Sequence, residues 1–222
     1  MTAKALLLRI SIPSKAAPKA TISADMDIAK IAAELEHTGY IVLKNPLPDK
    51  LTRQLFTRCQ DDDTDRFRAA QIGRGINKKQ VNAIRGDVID WLDASNEIDQ
   101  AYLACMETLR HGLNETLYLG LFDYECHYAI YGAGTGYAKH LDVLTGKKNR
   151  ILTTVLYLNK DWQPDDGGEL VIYDPAGVSV LDTVMPEFGT MVIFLSESFP
   201  HEVQLSRNTR RSIAGWFRVS GS

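Results

Sequence analysis

From Phe122 to Val219 the chain breaks into short runs rich in β-branched and aromatic residues: FDYECHYAIY, RILTTVLYL, GELVIYD, VSVLDTV, GTMVIFLS, HEVQL and TRRSIAGWFRV. Gly, Pro, Asn and Asp punctuate them. Several short strands at close spacing with turn signals between them predict a sandwich or barrel. The upstream half reads differently. DMDIAKIAAELEHTGY places Ile28, Ile31, Ala32 and Leu35 on one helical face, with Gly39 as a stop. YIVLKN reads as a short strand, and DKLTRQLFTRC as a second helix with Leu51, Leu55 and Phe56 together. Residues 96–119 carry the longest helical pattern, with a stripe of Leu103, Met106, Leu113 and Leu117. The expected architecture is α+β: a jelly-roll (double-stranded β-helix) core over residues 120–219, with supporting helices from residues 25–119 packed on one face. Residues 1–24 read as a loose leader. Residues 61–84 are polar and aperiodic and read as a long mobile loop.

Composition narrows the function. A net charge of −3 lacks the basic surplus of a duplex-binding domain, so stable nucleic-acid binding is not expected. Three cysteines, Cys59, Cys105 and Cys126, are an odd number without CxxC spacing, which points away from a disulfide scaffold and towards a reducing compartment. MTAKALLLRI offers only four consecutive apolar residues before Arg9, short of a secretory signal. No stretch approaches the roughly 20 apolar residues of a membrane span. A cytoplasmic protein without membrane contact is the expectation.

Within GTGYAKHLDVLTG, His140 and Asp142 stand two positions apart. On an extended segment, residues i and i+2 face the same way. An imidazole and a carboxylate so placed are good ligands for iron, manganese or zinc. His201 opens a further strand 61 residues later, and an antiparallel jelly-roll brings such strands side by side. Two His and one carboxylate form a facial triad that leaves metal positions open. Arg210 follows nine residues on, inside a strand, where it needs an anion; a carboxylate bound by two N–H groups is its natural partner. Alternation puts Arg210 with Ser212, Ala214 and Trp216, and puts the neighbouring Arg211 with Ile213 and Phe217 on the other face.

This pattern resembles the 2-oxoglutarate- and iron(II)-dependent oxygenases, and more closely the prolyl 4-hydroxylases of the oxygen-sensing (HIF prolyl hydroxylase-like) type and their bacterial relatives. The segments that carry the resemblance are IRGDVIDW (84–91), YGAGTGYAKHLD (131–142), VLYLNKDW (155–162), GGEL (167–170) and PHEVQ (200–204), within roughly residues 80–218. The resemblance implies one oxygenase domain with His140, Asp142 and His201 as catalytic iron ligands. It implies Arg210, with Tyr157 and Tyr131, on the 2-oxoglutarate cosubstrate, and Arg85, Asp87, Tyr137 and Trp216 beside the substrate. Val155, Leu170 and Val203 are expected to complete the pocket wall, with core packing an equal account of each, and His127 is read as lining rather than as a ligand. The implied cosubstrates are 2-oxoglutarate and O2 on Fe(II), with ascorbate in support. The implied reaction hydroxylates a proline in a protein or peptide, a translation elongation factor in bacterial relatives, and releases succinate and CO2. Residues 70–84 look like a cover over that substrate. Hydroxylation of other side chains or free amino acids, and repair demethylation of nucleic acids, use the same scaffold. A silent metal- or 2-oxoglutarate-sensing jelly-roll is the non-enzymatic alternative.

Overall fold

The computed structural model describes residues 26–60, 66–70, 86–143 and 149–220. The predicted leader, Arg85 and most of the predicted loop lie outside the described residues.

Helix α1 (Ile28–His37) starts where the Asp27 carboxylate accepts the Lys30 N–H at 3.1 Å. Just past its end Gly39 has φ +83°, and a Cβ there would meet the Phe199 ring at 2.8 Å. Backbone and space thus both demand glycine. Helix α2 (Asp49–Gln60) buries Leu51, Thr52, Leu55 and Cys59. Asn96 caps α3 (Glu97–Leu117), its side chain accepting from the Ile98 and Asp99 N–H groups. The stripe of α3 is rotated from the expected one. It buries Asp99, Tyr102, Cys105, Met106, Leu109 and Leu113, and leaves Leu103 and Leu117 only partly covered. A buried carboxylate hid this phase from a reading of apolar residues alone. Asp99 accepts two N–H groups of Arg58 at 2.7 Å each, the Tyr128 hydroxyl at 2.8 Å and the Asp93 N–H at 3.1 Å. Removing one member of a buried pair strands the other, at about 3–5 kcal/mol. Asp99→Ala is therefore expected to lower unfolding stability by that amount, read as a lower urea midpoint at unchanged slope.

The described strands are β1 (Tyr40–Lys44), β2 (Arg68–Ala69), β3 (Asp87–Trp91), β4 (Leu121–Tyr131), β5 (Tyr137–His140), β6 (Arg150–Tyr157), β7 (Leu170–Tyr173), β8 (Val180–Val184), β9 (Thr190–Leu195), β10 (His201–Val203) and β11 (Arg210–Val219). They pair antiparallel in two sheets, ordered β1-β9-β6-β11-β4-β3-β2 and β5-β10-β7-β8. Each strand sends alternate residues to opposite faces. Leu152, Leu156, Ile193, Ile213 and Phe217 of the larger sheet pack with residues of all three helices. Val155, Tyr157, Val192 and Phe194 pack between the sheets with Leu170 and Ile172 of the smaller one. This is the expected jelly-roll with helices on one face.

Two expectations change. The expected helix-first, sheet-later order is broken by β3, which lies in the predicted helical half yet pairs with β4 along Asp87–Trp91. Part of the predicted loop is also strand: Arg68 and Ala69 pair with Ile89 and Val88. Both runs are short, two and five residues, and β2 draws its order from β3 beside it.

Candidate metal and cosubstrate site

One cavity of about 650 Å³ opens between the sheets. Its floor uses the inward faces already fixed by strand alternation. Arg210, Ser212, Ala214 and Trp216 line it from β11, and His127, Ala129 and Tyr131 from β4. Val155, Leu170 and Val203 stand in its wall as expected.

His140, Asp142 and His201 converge there, each with one ligand atom within 4.8 Å of the others. The two imidazoles come from directly paired positions, because His201 of β10 faces His140 of β5 in register. Strand β5 ends at His140, so Asp142 sits in the bend that follows rather than in the strand itself. Its carboxylate still reaches both rings, with Nε2 of His140 and Nε2 of His201 each 3.6 Å away. The His140 Nδ1 donates to the Ala138 carbonyl at 2.8 Å, and the His201 Nδ1 donates to the Phe199 carbonyl at 3.0 Å. A carbonyl only accepts, so the proton stays on Nδ1 and each Nε2 lone pair is aimed at the shared point. Burial lowers the His201 pKa and favours the neutral, ligating form. Burial pushes the Asp142 carboxyl up, but His201, His140 and the nearby Trp216 indole outweigh it and hold the group well below the usual carboxylate range. Two imidazoles and one carboxylate fit a divalent first-row metal.

Asp142 is held from behind. The Thr153 hydroxyl donates to its Oδ2 at 2.8 Å and lies 2.9 Å from the Ser196 hydroxyl. Groups that orient a ligand typically contribute 10–100-fold to metal affinity. Thr153→Val is expected to weaken Fe(II) binding by about that range without unfolding the sheet, as measured by metal titration with a competing chelator. Thr153 is a candidate positioning residue that was not among the expected site residues. The signal was present, since Thr153 precedes the inward-read Val155 and Tyr157 at strand period.

Arg210 is only 1 % exposed. Its Nε donates to the Gly168 carbonyl at 2.8 Å, and its Nη1 stands 3.4 Å from the Ser212 hydroxyl. Its Nη2 is buried with no hydrogen-bond partner. Gly168 has φ +71°, and a Cβ there would press on the Arg210 Cδ at 3.0 Å. The GGEL turn therefore shapes the arginine as well as bonding to it. The guanidinium carbon lies 5.2 Å from the Tyr131 ring and 5.0 Å from the Tyr157 ring. Tyr157 lies fully buried behind the cavity wall; its hydroxyl has no hydrogen-bond partner, and burial pushes its pKa up to about 12 against the pull of Arg210. An unpaired cationic N–H beside an unpaired hydroxyl, both desolvated, suits an incoming carboxylate. These orphans and the donor set fit Fe(II) with 2-oxoglutarate.

The remaining predicted positions divide. Tyr137 lines the cavity and stacks on the His140 ring at 3.6 Å between centroids. The Trp216 indole N–H is buried without a hydrogen-bond partner, and the Arg150 guanidinium lies 3.6 Å over its ring. Asp87 lines the cavity but is buried opposite Tyr131, a placement that suits bracing the wall more than touching a peptide. His127 packs on Trp91 and Trp216 and stands outside the triad. Arg211 is half-buried on the helix side of the sheet, close enough to Cys59 of α2 to lower that thiol's raised pKa, and so lies on the face of β11 opposite Arg210, as expected.

Comparisons with known proteins agree with this geometry. The 2OG-Fe(II) oxygenase superfamily model matches residues 126–218. Prolyl hydroxylase EGLN3 of Mus musculus is 30% identical over 215 residues, covering 86% of this chain and 85% of its own. A Pseudomonas putida prolyl-4-hydroxylase structure superposes with TM-score 0.78 at 38% identity, covering 87% of this chain and all of that one. A Trichoplax adhaerens prolyl hydroxylase structure, solved with a hypoxia inducible factor peptide, gives 0.75 at 26% identity, covering 86% and 88%. The family segment that opens at Cys126 and closes at Arg218, extended by a mouse relative matched along most of its length, makes this chain a member of the 2OG-Fe(II) oxygenase superfamily, on its prolyl hydroxylase branch.

Proposed function

We propose that this chain hydroxylates a prolyl residue of a protein substrate, with 2-oxoglutarate and O2 consumed and succinate and CO2 released. The observation that carries the reading is the triad and the unpaired Arg210 Nη2 in one cavity. Bound Fe(II) and 2-oxoglutarate supply the oxidising chemistry, and ascorbate supports it by keeping the metal reduced. The chain's own residues do the rest. His140, Asp142 and His201 would hold the metal through the ligand atoms they turn to one point of the cavity. Arg210, backed by Tyr157 and Tyr131, draws the distal carboxylate to the floor and so orients the cosubstrate. Tyr137 and Trp216 flank the place where the substrate enters, and the buried Asp87 braces that wall. Arg85 belongs to the same proposed substrate contact, although it lies outside the described residues.

The prolyl choice is supported by the relatives, and the Trichoplax adhaerens neighbour was solved in complex with a hypoxia inducible factor peptide. A translation elongation factor is the substrate to test first, given the likeness to bacterial enzymes. Cytoplasmic residence fits three buried, unbonded thiols, and among the described residues no helix is long and apolar enough to cross a membrane. The test is mass spectrometry of cells with and without the gene. An oxygen-mass gain on one or a few prolines, lost with the enzyme, is the expected result. Gains confined to other residue types would replace the prolyl reading.

A further inference from the structure

Four arginines line the cavity: Arg66, Arg68, Arg150 and Arg210. Three are occupied. Arg66 donates twice to Asp90 at 2.7 and 3.2 Å, and Arg150 twice to Glu125 at 2.9 and 3.2 Å. Arg210 is the proposed seat of the cosubstrate carboxylate. The acids are equally committed: Asp90 to Arg66, Glu125 to Arg150 and Arg218, Asp142 to the triad, and Asp87 buried in β3. Arg68 stands exposed on β2, and its side chain has no ion pair or hydrogen bond with any described residue. Among the described residues it is therefore the uncompensated cation lining the cavity.

Its position is fixed by register. Arg68 faces Ile89, Ile89 faces Ala129, and Ala129 faces Ser212. All four line the cavity, so they form one row running from the rim to the floor. Three strand spacings of about 4.8 Å put the Arg68 backbone roughly 14 Å from that of Ser212. The same rim carries two large apolar side chains open to solvent, Trp91 (51 % exposed) and Leu141 (44 % exposed). The His127 ring braces Trp91 edge-on at 5.2 Å. An extended chain crossing the mouth would cover both apolar groups and, at roughly 3.3 Å per residue, would span the row from Arg68 to the cavity floor in about four residues.

We propose that Arg68 is a specificity residue that selects substrates with an Asp or Glu within about four residues of the target proline. The proposal rests on the prolyl hydroxylase reading. The guanidinium pairs with carboxylate through two parallel N–H groups, and the peptide lying over Trp91 and Leu141 shields that pair from water. Exposed pairs sit at the weak end of ion pairing, and partial cover moves this one to the upper end of that range. The expected preference for Glu over Gln is about fivefold.

The test uses synthetic proline peptides that differ only in Glu, Gln or Lys at positions one to four on either side of the proline. The full-length holoenzyme is compared with Arg68→Ala and Arg68→Glu, with thermal melting to confirm that both variants fold. Two readouts are taken: hydroxyproline formed, and peptide affinity by fluorescence anisotropy. The enzyme should favour one Glu peptide over its Gln twin about fivefold in both, and Lys should be the poorest. Arg68→Ala should treat Glu and Gln alike, and Arg68→Glu should favour Lys. Equal handling of Glu and Gln by the unaltered enzyme overturns the proposal, as does a preference that survives in Arg68→Ala. The underlying reading fails separately. Charge-selective binding without hydroxyproline in any peptide removes the prolyl assignment and leaves Arg68 as a selector, whereas hydroxyproline without charge preference does the reverse.

Discussion

Asp142→Ala is expected to drop 2-oxoglutarate turnover below about one-hundredth of the original rate. Groups that merely orient a metal ligand already contribute 10–100-fold, and Asp142 is itself the carboxylate of the triad. The loss should appear in metal binding as well as in succinate formed, because two imidazoles alone are a poorer donor set. The fold should survive. Thr153 keeps its hydroxyl contact with Ser196 at 2.9 Å, and the β5–β10 pairing is carried by backbone groups. Proton NMR of succinate, a Fe(II) titration and a thermal melt check the three parts. An Asp142→Ala protein that turns over normally would remove the triad from the account.

Arg210→Ala and Arg211→Ala are expected to behave oppositely despite their adjacency. Truncating one partner of a buried charge pair costs about 2–5 kcal/mol, and each 1.4 kcal/mol is about tenfold. The apparent constant for 2-oxoglutarate should therefore rise at least tens-fold in Arg210→Ala. It should move no more than a few-fold in Arg211→Ala, whose side chain lies on the helix side of β11. The register supports this split, since Arg210, Ser212, Ala214 and Trp216 all line the cavity while Ile213 and Phe217 pack under the helices. A one-residue slip would exchange the two sets. Steady-state rates against 2-oxoglutarate concentration decide it, and a larger effect in Arg211→Ala would contradict the register.

The parts of the molecule that the sequence disclosed are those where one local rule controls the outcome. Strand period put Arg210 and Trp216 on one face of β11, and His127, Ala129 and Tyr131 on one face of β4, and the cavity is built from those faces. The His140–Asp142 spacing and the distal His201 pointed to one metal site before any pairing was known, and register then set the two imidazoles side by side. What stayed hidden depends on contacts distant in sequence. Asp99 shifted the buried stripe of α3 because Arg58 and Tyr128 come from other elements. Strand β3 is only five residues long, lies between helical patterns and pairs with β4 along its whole length. The Asp123–Arg218–Glu125–Arg150 chain of ion pairs joins residues of three strands. Arg150 donates from it at 3.4 Å to the Asp142 carbonyl. No spacing rule in one strand announces such a chain.

His140, Asp142, His201 and Arg210 are proposed to form an iron and 2-oxoglutarate centre that oxidises proline in a protein. Its most direct measurement is the stoichiometry of products from the purified enzyme with Fe(II), 2-oxoglutarate, O2 and a protein target identified by mass spectrometry. The account predicts one succinate for each hydroxyproline, with both lost when O2 is removed and both lost in Asp142→Ala. Hydroxyproline formed without succinate, or both products formed undiminished by Asp142→Ala, would contradict it.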